Sequence, residues 1–162
     1  MKVYLEKLAS YNIWANSRLF EMMKDLSEEQ WVQNTSGSFK SIGHTLQHIL
    51  MAQVAWDCRI NNVSYPDWMA NRDSVRTKAE VIAALKASSE SFLQLIASKS
   101  ESELEKIITY SDLKGNPFDN SLSEIIVHVM NHSTFHRGQI VHILRDFGCT
   151  NIMATDFILF CR

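Results

Sequence analysis

Apolar residues recur at three- and four-residue steps in four stretches of the chain, a spacing that predicts four amphipathic helices. The first helix carries its apolar stripe from residue 5 to residue 26, and Asn12 is a polar residue on that stripe. The second helix is predicted over about residues 41–61, and the third begins at Thr77. The fourth runs from residue 121 to near Gly148, a residue type suited to the position just after a helix end.

Two of these helix starts carry a capping box, in which a Ser or Thr side chain and a Glu three residues later each satisfy a backbone N–H group. Thr77 and Glu80 form one such pattern, and Ser121 and Glu124 form the other. Only two prolines interrupt the whole chain. The pattern therefore predicts an all-α fold, a four-helix bundle.

The connections between the predicted helices are unequal in length. Residues 61–76 join the second and third helices, and residues 104–120 join the third and fourth. Long connections permit crossovers and parallel neighbours, which short loops do not. Within the second connection, residues 107–111 favour a short strand or hairpin, expected near the open end of a site.

Three polar residues, His132, His136 and Gln139, fall inside the apolar stripe of the fourth helix. Residues four positions apart return to nearly the same helix face, so both imidazoles point into the same interior volume. Burying an imidazole without a partner is costly, and a metal ion is the partner that uses a neutral imidazole best. We therefore predict a metal site in the seam of the bundle.

A third ligand has to come from another segment, and His48 on the second helix is the best candidate. Four small residues lie within roughly 60° of it around the helix, which leaves room for an ion and a bound molecule. These residues are Ser41, Thr45, Ala52 and Ala55. His44 is a weaker candidate because it lies in the first turn, close to solvent. The predicted ligands are His48, His132 and His136.

Other polar residues are assigned roles around this predicted site. Asn12, Thr45 and Gln139 are expected to flank a pocket between the first, second and fourth helices. The candidates for acid–base catalysis are His128, which lies one turn before His132, together with Tyr11 and Tyr110. No glutamate is spaced as in an H-E-x-x-H motif to serve as a general base.

Two further residue types are interpreted as structural. Arg137 is expected to pair with an acidic group of a neighbouring helix, with Asp57 as a candidate. Trp14 and Trp56 lie on helices and are interpreted as core anchors rather than as platforms for a substrate.

Composition narrows the class of protein. The 162 residues fit a single domain spanning residues 1–162, and the 46% hydrophobic share is that of an ordinary soluble protein. A net charge of −2 without a basic patch argues against a nucleic-acid partner. The absence of eighteen consecutive apolar residues argues against a membrane span, and the amino end lacks an apolar leader, so a cytoplasmic location is expected.

Four segments together resemble the DinB family: YNIWANSR at 11–18, SIGHTLQHI at 41–49, HVMNHSTFHRGQ at 128–139 and TDFI at 155–158. The resemblance spans almost the whole chain in the right order. It implies the DinB/YfiT-like bundle with an up-down-down-up path, in agreement with the long connections. It also implies a divalent-metal site formed by one histidine of the second helix and two of the fourth, which match His48, His132 and His136.

The resemblance implies less about activity, because the wider superfamily contains metal-dependent thiol transferases, thiol-dependent isomerases and hydrolases. One hypothesis is a metal-dependent enzyme that hydrolyses a small molecule or transfers a low-molecular-weight thiol to it. The alternative is a non-catalytic, stress-associated metal-binding protein in which the ion has a structural role and stabilises the bundle. An open coordination position favours the first and a fourth protein ligand the second. Zinc is the expected metal, with nickel, iron and copper as alternatives, and a homodimer is expected.

Overall fold

Four long helices form the body of the molecule in a computed structural model that describes residues 1–70, 74–112 and 114–162. These helices are α1 (Lys2–Met22), α3 (Ile42–Asn61), α4 (Lys78–Ser98) and α6 (Leu122–Asp146). Three short helices are α2 (Glu28–Val32), α5 (Glu101–Leu104) and α7 (Phe157–Phe160), and a 3-10 helix covers Asp67–Ala70. Strands β1 (Ile107–Ser111) and β2 (Pro117–Ser121) lie between α5 and α6.

The predicted capping boxes are present at the starts of α4 and α6. Thr77 accepts a hydrogen bond from the Glu80 backbone N–H, and the Glu80 carboxylate accepts one from the Thr77 backbone. Ser121 and Glu124 repeat this arrangement at α6. Since these pairs fix where the two helices begin, the starts predicted from the sequence are confirmed.

Helices α3 and α4 run parallel. Near the start of α3, the Gln47 side chain donates to the Ser74 carbonyl at 2.8 Å and accepts from the Arg76 N–H at 3.0 Å, just before α4 begins. Further along both helices, Gln53 donates to Ser88 at 3.1 Å. The chain therefore crosses over between α3 and α4, which the long connection permits and the family resemblance implied.

The remaining neighbours complete the path of the chain. Helix α1 runs antiparallel to α4, because Lys2 at its start donates to the Ala97 carbonyl near the end of α4. Helix α6 runs parallel to α1, since the Cys149 thiol just after α6 contacts the Met22 carbonyl at the end of α1. Leu5 and Leu122, near the two helix starts, share one apolar cluster. The bundle is up-down-down-up, as predicted.

The two strands form an antiparallel hairpin in which Tyr110 pairs with Phe118. The Thr109 hydroxyl donates to Asp119 at 2.6 Å, and the Asp112 carboxylate accepts two backbone N–H bonds that close the turn. The predicted short strand is thus one arm of a hairpin. Its Tyr110 ring packs edge-on against Trp56 of α3, with the ring centroids 4.7 Å apart.

A buried polar layer separates two apolar clusters of the core. At its centre lies Arg137, only 2% exposed, which donates to the side-chain oxygens of Asn12 and Asn16 on α1 and to Thr134. The expectation that Arg137 pairs with an acidic group is wrong. Its partners are neutral amides and a hydroxyl, because α1 presents asparagines at this level.

The Asp57 carboxylate, proposed as the partner of Arg137, instead accepts a hydrogen bond from Asn61 one turn along α3. In the part of the chain that the structure describes, no helix is long and apolar enough to cross a membrane.

Gly43 in the first turn of α3 provides a test of how α2 is held. A Cβ at this position would lie 2.8 Å from the Trp31 ring and 2.9 Å from the Trp31 carbonyl oxygen. We expect Gly43→Ala to lower the free energy of unfolding by about 1–3 kcal/mol, because overpacking displaces a buried tryptophan. Urea denaturation measures this change.

Gly138→Ala on the exposed face of α6 is the matched control, since nothing lies within 4 Å of the added Cβ. Alanine should stabilise that helix by roughly 0.5–1 kcal/mol relative to glycine. Equal effects of the two substitutions would contradict the close approach of α2 to α3.

Candidate metal centre

The three predicted histidines meet where α3 packs against α6. These two helices run antiparallel, since His48 of α3 lies beside His132 while Trp56, two turns later, lies beside His128, one turn earlier on α6. One nitrogen of each of His48, His132 and His136 lies within 4.8 Å of the other two. The antiparallel contact therefore brings one histidine of α3 to the two of α6.

The spacing of these nitrogens fits a divalent metal ion. The Nε2 atoms of His48 and His132 are 3.0 Å apart. Two nitrogens that each lie about 2.0–2.1 Å from a tetrahedral zinc ion are themselves about 3.4 Å apart. A small adjustment of either side chain would reach this separation. The cluster of three imidazoles thus has both the donor type and the dimensions of a metal site.

Gln139 fixes the orientation of His136. The Nδ1 atom of His136 lies 2.7 Å from Gln139 Oε1, and Gln139 Nε2 donates to the Ser38 hydroxyl at 3.0 Å. Because the amide oxygen only accepts, Nδ1 of His136 carries the proton and Nε2 is left with a lone pair for an ion. Hydrogen bonds of this kind typically hold metal-binding histidines in one tautomer.

The surroundings of His132 keep its imidazole uncharged. The pKa of His132 is lowered to about 4, first by burial and then by the neighbouring imidazoles His136, His48 and His128. His132 is therefore neutral at pH 7, the form that binds metals. Phe39 covers the cluster, with its ring centroid 4.3 Å from that of His48 and 5.5 Å from that of His136.

The cluster opens into a cavity of about 500 Å³ that extends along α3. His48 and His132, both half-buried, line this cavity, whereas His136 is only 6% exposed. Ala52 and Ala55 line it as well, so small residues near His48 do leave room. Space for a small molecule therefore adjoins the three histidines.

Not all the predicted flanking residues are near this cavity. Asn12 and Thr45 are each 1% exposed; Asn12 accepts from Arg137, and the Thr45 hydroxyl donates to the Ser41 carbonyl. Neither is among the residues lining the cavity, and α1 contributes none of them in the described structure. Of the three predicted flanking residues, Gln139 alone contacts the cluster, through His136. The expected pocket between three helices is instead a groove formed mainly by α3 and α6.

The three candidates for acid–base catalysis lie in different places. His128 lines the cavity, and its pKa is lowered by burial and by the nearby charge of Arg59. Tyr110 lies behind Trp56 and donates to Asn120 at 2.9 Å. Tyr11 lies on α1 and donates to the Thr155 carbonyl at 2.7 Å. Of the three, His128 alone faces the cavity.

Several residues that line the cavity or cover the cluster were not predicted from the sequence. Trp56 packs against the apolar core but also lines the cavity, so it is more than the core anchor that was predicted. Arg59 lies eleven residues after His48, which is about 20° away around the helix, so a helical wheel could have placed both on one face. Phe39 precedes α3 in an irregular segment, where no periodic signal exists.

Comparisons with known proteins agree with this architecture. The fold and the site define this chain as a four-helix bundle protein with three histidines gathered between two of its helices. The DinB family model matches residues 1–160. The chain belongs to the DinB family. It is 27% identical over 165 residues to Protein DinB of Bacillus subtilis (strain 168), covering 99% of this chain and 95% of that protein.

Two of the solved structures that share the fold illustrate the likeness. YfiT from Bacillus subtilis, described as a probable metal-dependent hydrolase with an unusual four-helix bundle topology, has a TM-score of 0.69 at 10% identity. The match covers 93% of this chain and 91% of YfiT. A DinB-like protein from Bacillus cereus ATCC 10987 has a TM-score of 0.66 at 18% identity, covering 87% and 91% of the two chains.

The role of Gln139 can be tested by metal titration. We expect Gln139→Leu to weaken metal binding by about 10–100-fold, because His136 loses the acceptor that fixes its tautomer. Competition with a chromophoric chelator measures the affinity. His142→Gln is the control, since the His142 side chain is 75% exposed on the same helix and contacts Asp146. An unchanged affinity in Gln139→Leu would contradict the orienting role.

Proposed function

We propose that this protein is a metal-dependent enzyme acting on a small molecule, by hydrolysis or by transfer of a low-molecular-weight thiol. The observation that carries the proposal is the three-histidine cluster opening into a cavity of about 500 Å³. Structural zinc sites are usually closed by four protein ligands, whereas catalytic sites keep a position open. Among the described residues, the metal-binding group contains three histidines and no fourth ligand.

The proposed roles follow from the position of each side chain. His48, His132 and His136 would hold the ion, with zinc as the first choice and nickel, iron or copper as alternatives for imidazole ligands. Bound there, a divalent ion would polarise a carbonyl group and ease deprotonation of water or a thiol. Gln139 keeps His136 in the metal-binding tautomer.

His128 is the proposed general base. Its ring lines the cavity with the centroid 5.8 Å from that of His132, so it lies beside the cluster without belonging to it. His44 also lines the cavity, but its Nδ1 atom is 2.9 Å from the Ser41 hydroxyl, which caps α3. An imidazole at the position of His128 can accept a proton from a nucleophile held near the cluster.

The description of YfiT as a probable metal-dependent hydrolase supports the hydrolytic form of the proposal. One observation favours the non-catalytic alternative, a metal-binding protein associated with stress responses. No carboxylate lines the cavity in the described part of the chain, so a general base of the commonest metallohydrolase type is lacking. The expected homodimer, cytoplasmic location and role in stress responses remain predictions.

The proposal is tested by screening zinc-loaded protein against ester, amide and electrophile-plus-thiol panels. We expect turnover in one panel that falls to background in His136→Ala, which should lose stoichiometric metal while staying folded, because the apolar clusters are untouched. His128→Gln should keep the metal but lower turnover by roughly 10²–10⁴-fold. Elemental analysis and circular dichroism verify metal content and folding.

His142→Ala is the matched control, because it removes an exposed histidine of α6 outside the cluster. Its turnover should equal that of the original protein. Equal background rates for the original protein and His136→Ala across all three panels would overturn the catalytic proposal and favour the non-catalytic alternative.

A further inference from the structure

Arg59 lies in the cavity wall at some distance from the histidine cluster. His48, Ala52, Ala55 and Arg59 all line the cavity and follow one stripe of α3, at steps of three and four residues. The Arg59 guanidinium stacks over the Trp56 ring, 4.6 Å from its centroid, so it leans back along the helix. It therefore lies on the order of 12 Å from the level of His48, the rise of about eight helical residues.

The charge of Arg59 has no carboxylate partner among the described residues. Its contacts are the rings of Trp56 and Tyr110 and a long hydrogen bond of 3.5 Å from Nη2 to the Ser111 carbonyl. The Nε–H group is buried and has no hydrogen-bond acceptor among the residues that the structure describes. Because no described carboxylate neutralises the guanidinium, its positive charge favours an anionic ligand at this end of the cavity.

Two carboxylates lie near this end without neutralising Arg59. Asp67 and Asp112 line neighbouring pockets that Arg59 also borders, and neither forms an ion pair with it. The Asp112 carboxylate is already bonded to Lys114 and Asn116 of the hairpin turn. The guanidinium thus keeps its capacity to bind an anion.

The wall between the two ends is mostly apolar, with the His128 ring beside Trp56 as its polar exception among the described residues. Its apolar part is formed by the side chains of Met51, Ala52, Ala55, Trp56 and Met69. The cavity therefore offers metal-binding imidazoles towards one end, a mostly apolar surface in the middle and one guanidinium at the other end. This order of surfaces along the cavity matches a molecule with a reactive group at one end, an apolar segment in the middle and an anionic group at the other end.

We infer that the substrate is an amphipathic carboxylate, bound with its carboxylate on Arg59 and its reacting group at the three histidines. This inference rests on the proposed function and names the substrate class of that site. A carboxylate fits better than a phosphate, because Arg59 is the one Lys or Arg side chain lining the described cavity. A guanidinium can hold a carboxylate through two parallel hydrogen bonds.

The test uses two hydroxamate probes with the same alkyl chain, one ending in a carboxylate and the other in a methyl group. The hydroxamate binds a metal ion, and the chain spans on the order of 12 Å, the estimated separation along α3. Calorimetric titration of zinc-loaded protein gives the two Kd values. We expect the carboxylate probe to bind at least about tenfold more tightly, the gain typical of a charged hydrogen bond.

Arg59→Gln should bring the ratio of the two Kd values close to one. The ratio is the readout because it cancels any general loss of affinity in the variant. Arg145→Gln, which changes an exposed arginine near the end of α6, is the control and should keep the original ratio. A ratio near one in the original protein, or a ratio unchanged in Arg59→Gln, would overturn the inference.

Titrating metal-free protein separates this inference from the proposed function. Methyl-probe affinity that does not depend on zinc would count against an open metal position, and hence against the proposed function. The carboxylate preference and its loss in Arg59→Gln would still be measured in the same experiment, and they decide the role of Arg59.

Discussion

The antiparallel packing of α3 against α6 is the contact on which the candidate site depends. It places polar imidazoles where a bundle normally buries leucines, and it brings one histidine of α3 to two of α6. Buried imidazoles need partners. Gln139 supplies one for His136, and the spacing of the remaining nitrogens fits a divalent ion. The same contact leaves a cavity beside the cluster, because alanines of α3 face it.

A second buried polar feature holds α6 in the orientation that the site needs. Arg137, next to His136 and about 100° further round the helix, points towards α1 and donates to Asn12 and Asn16. Burial lowers the pKa of Arg137 from its usual value, and hydrogen bonds to neutral oxygens compensate part of that cost. Rotation of α6 about its axis would break these bonds. The network therefore fixes which face of α6, and so which histidines, meets α3.

Periodicity and capping made the four long helices predictable, since Thr77 and Ser121 mark helix starts and the histidines repeat at helical steps. The roles of Asn12 and Thr45 were not predictable in the same way. A helical wheel gives the face of a residue but not the helix that covers it, and both are buried away from the cavity. Arg59 shares a face with His48, yet its importance depends on the hairpin and Trp56, which are brought together only by the fold.

The central claim is that His48, His132 and His136 hold a divalent metal ion whose open side faces the cavity. A crystal structure of zinc-loaded protein, with the ion located by anomalous scattering, tests it most directly. We expect one ion at about 2.0–2.1 Å from a nitrogen of each of the three histidines, without a fourth protein ligand. An ion bound elsewhere, or a fourth side chain closing the site against the cavity, would contradict it.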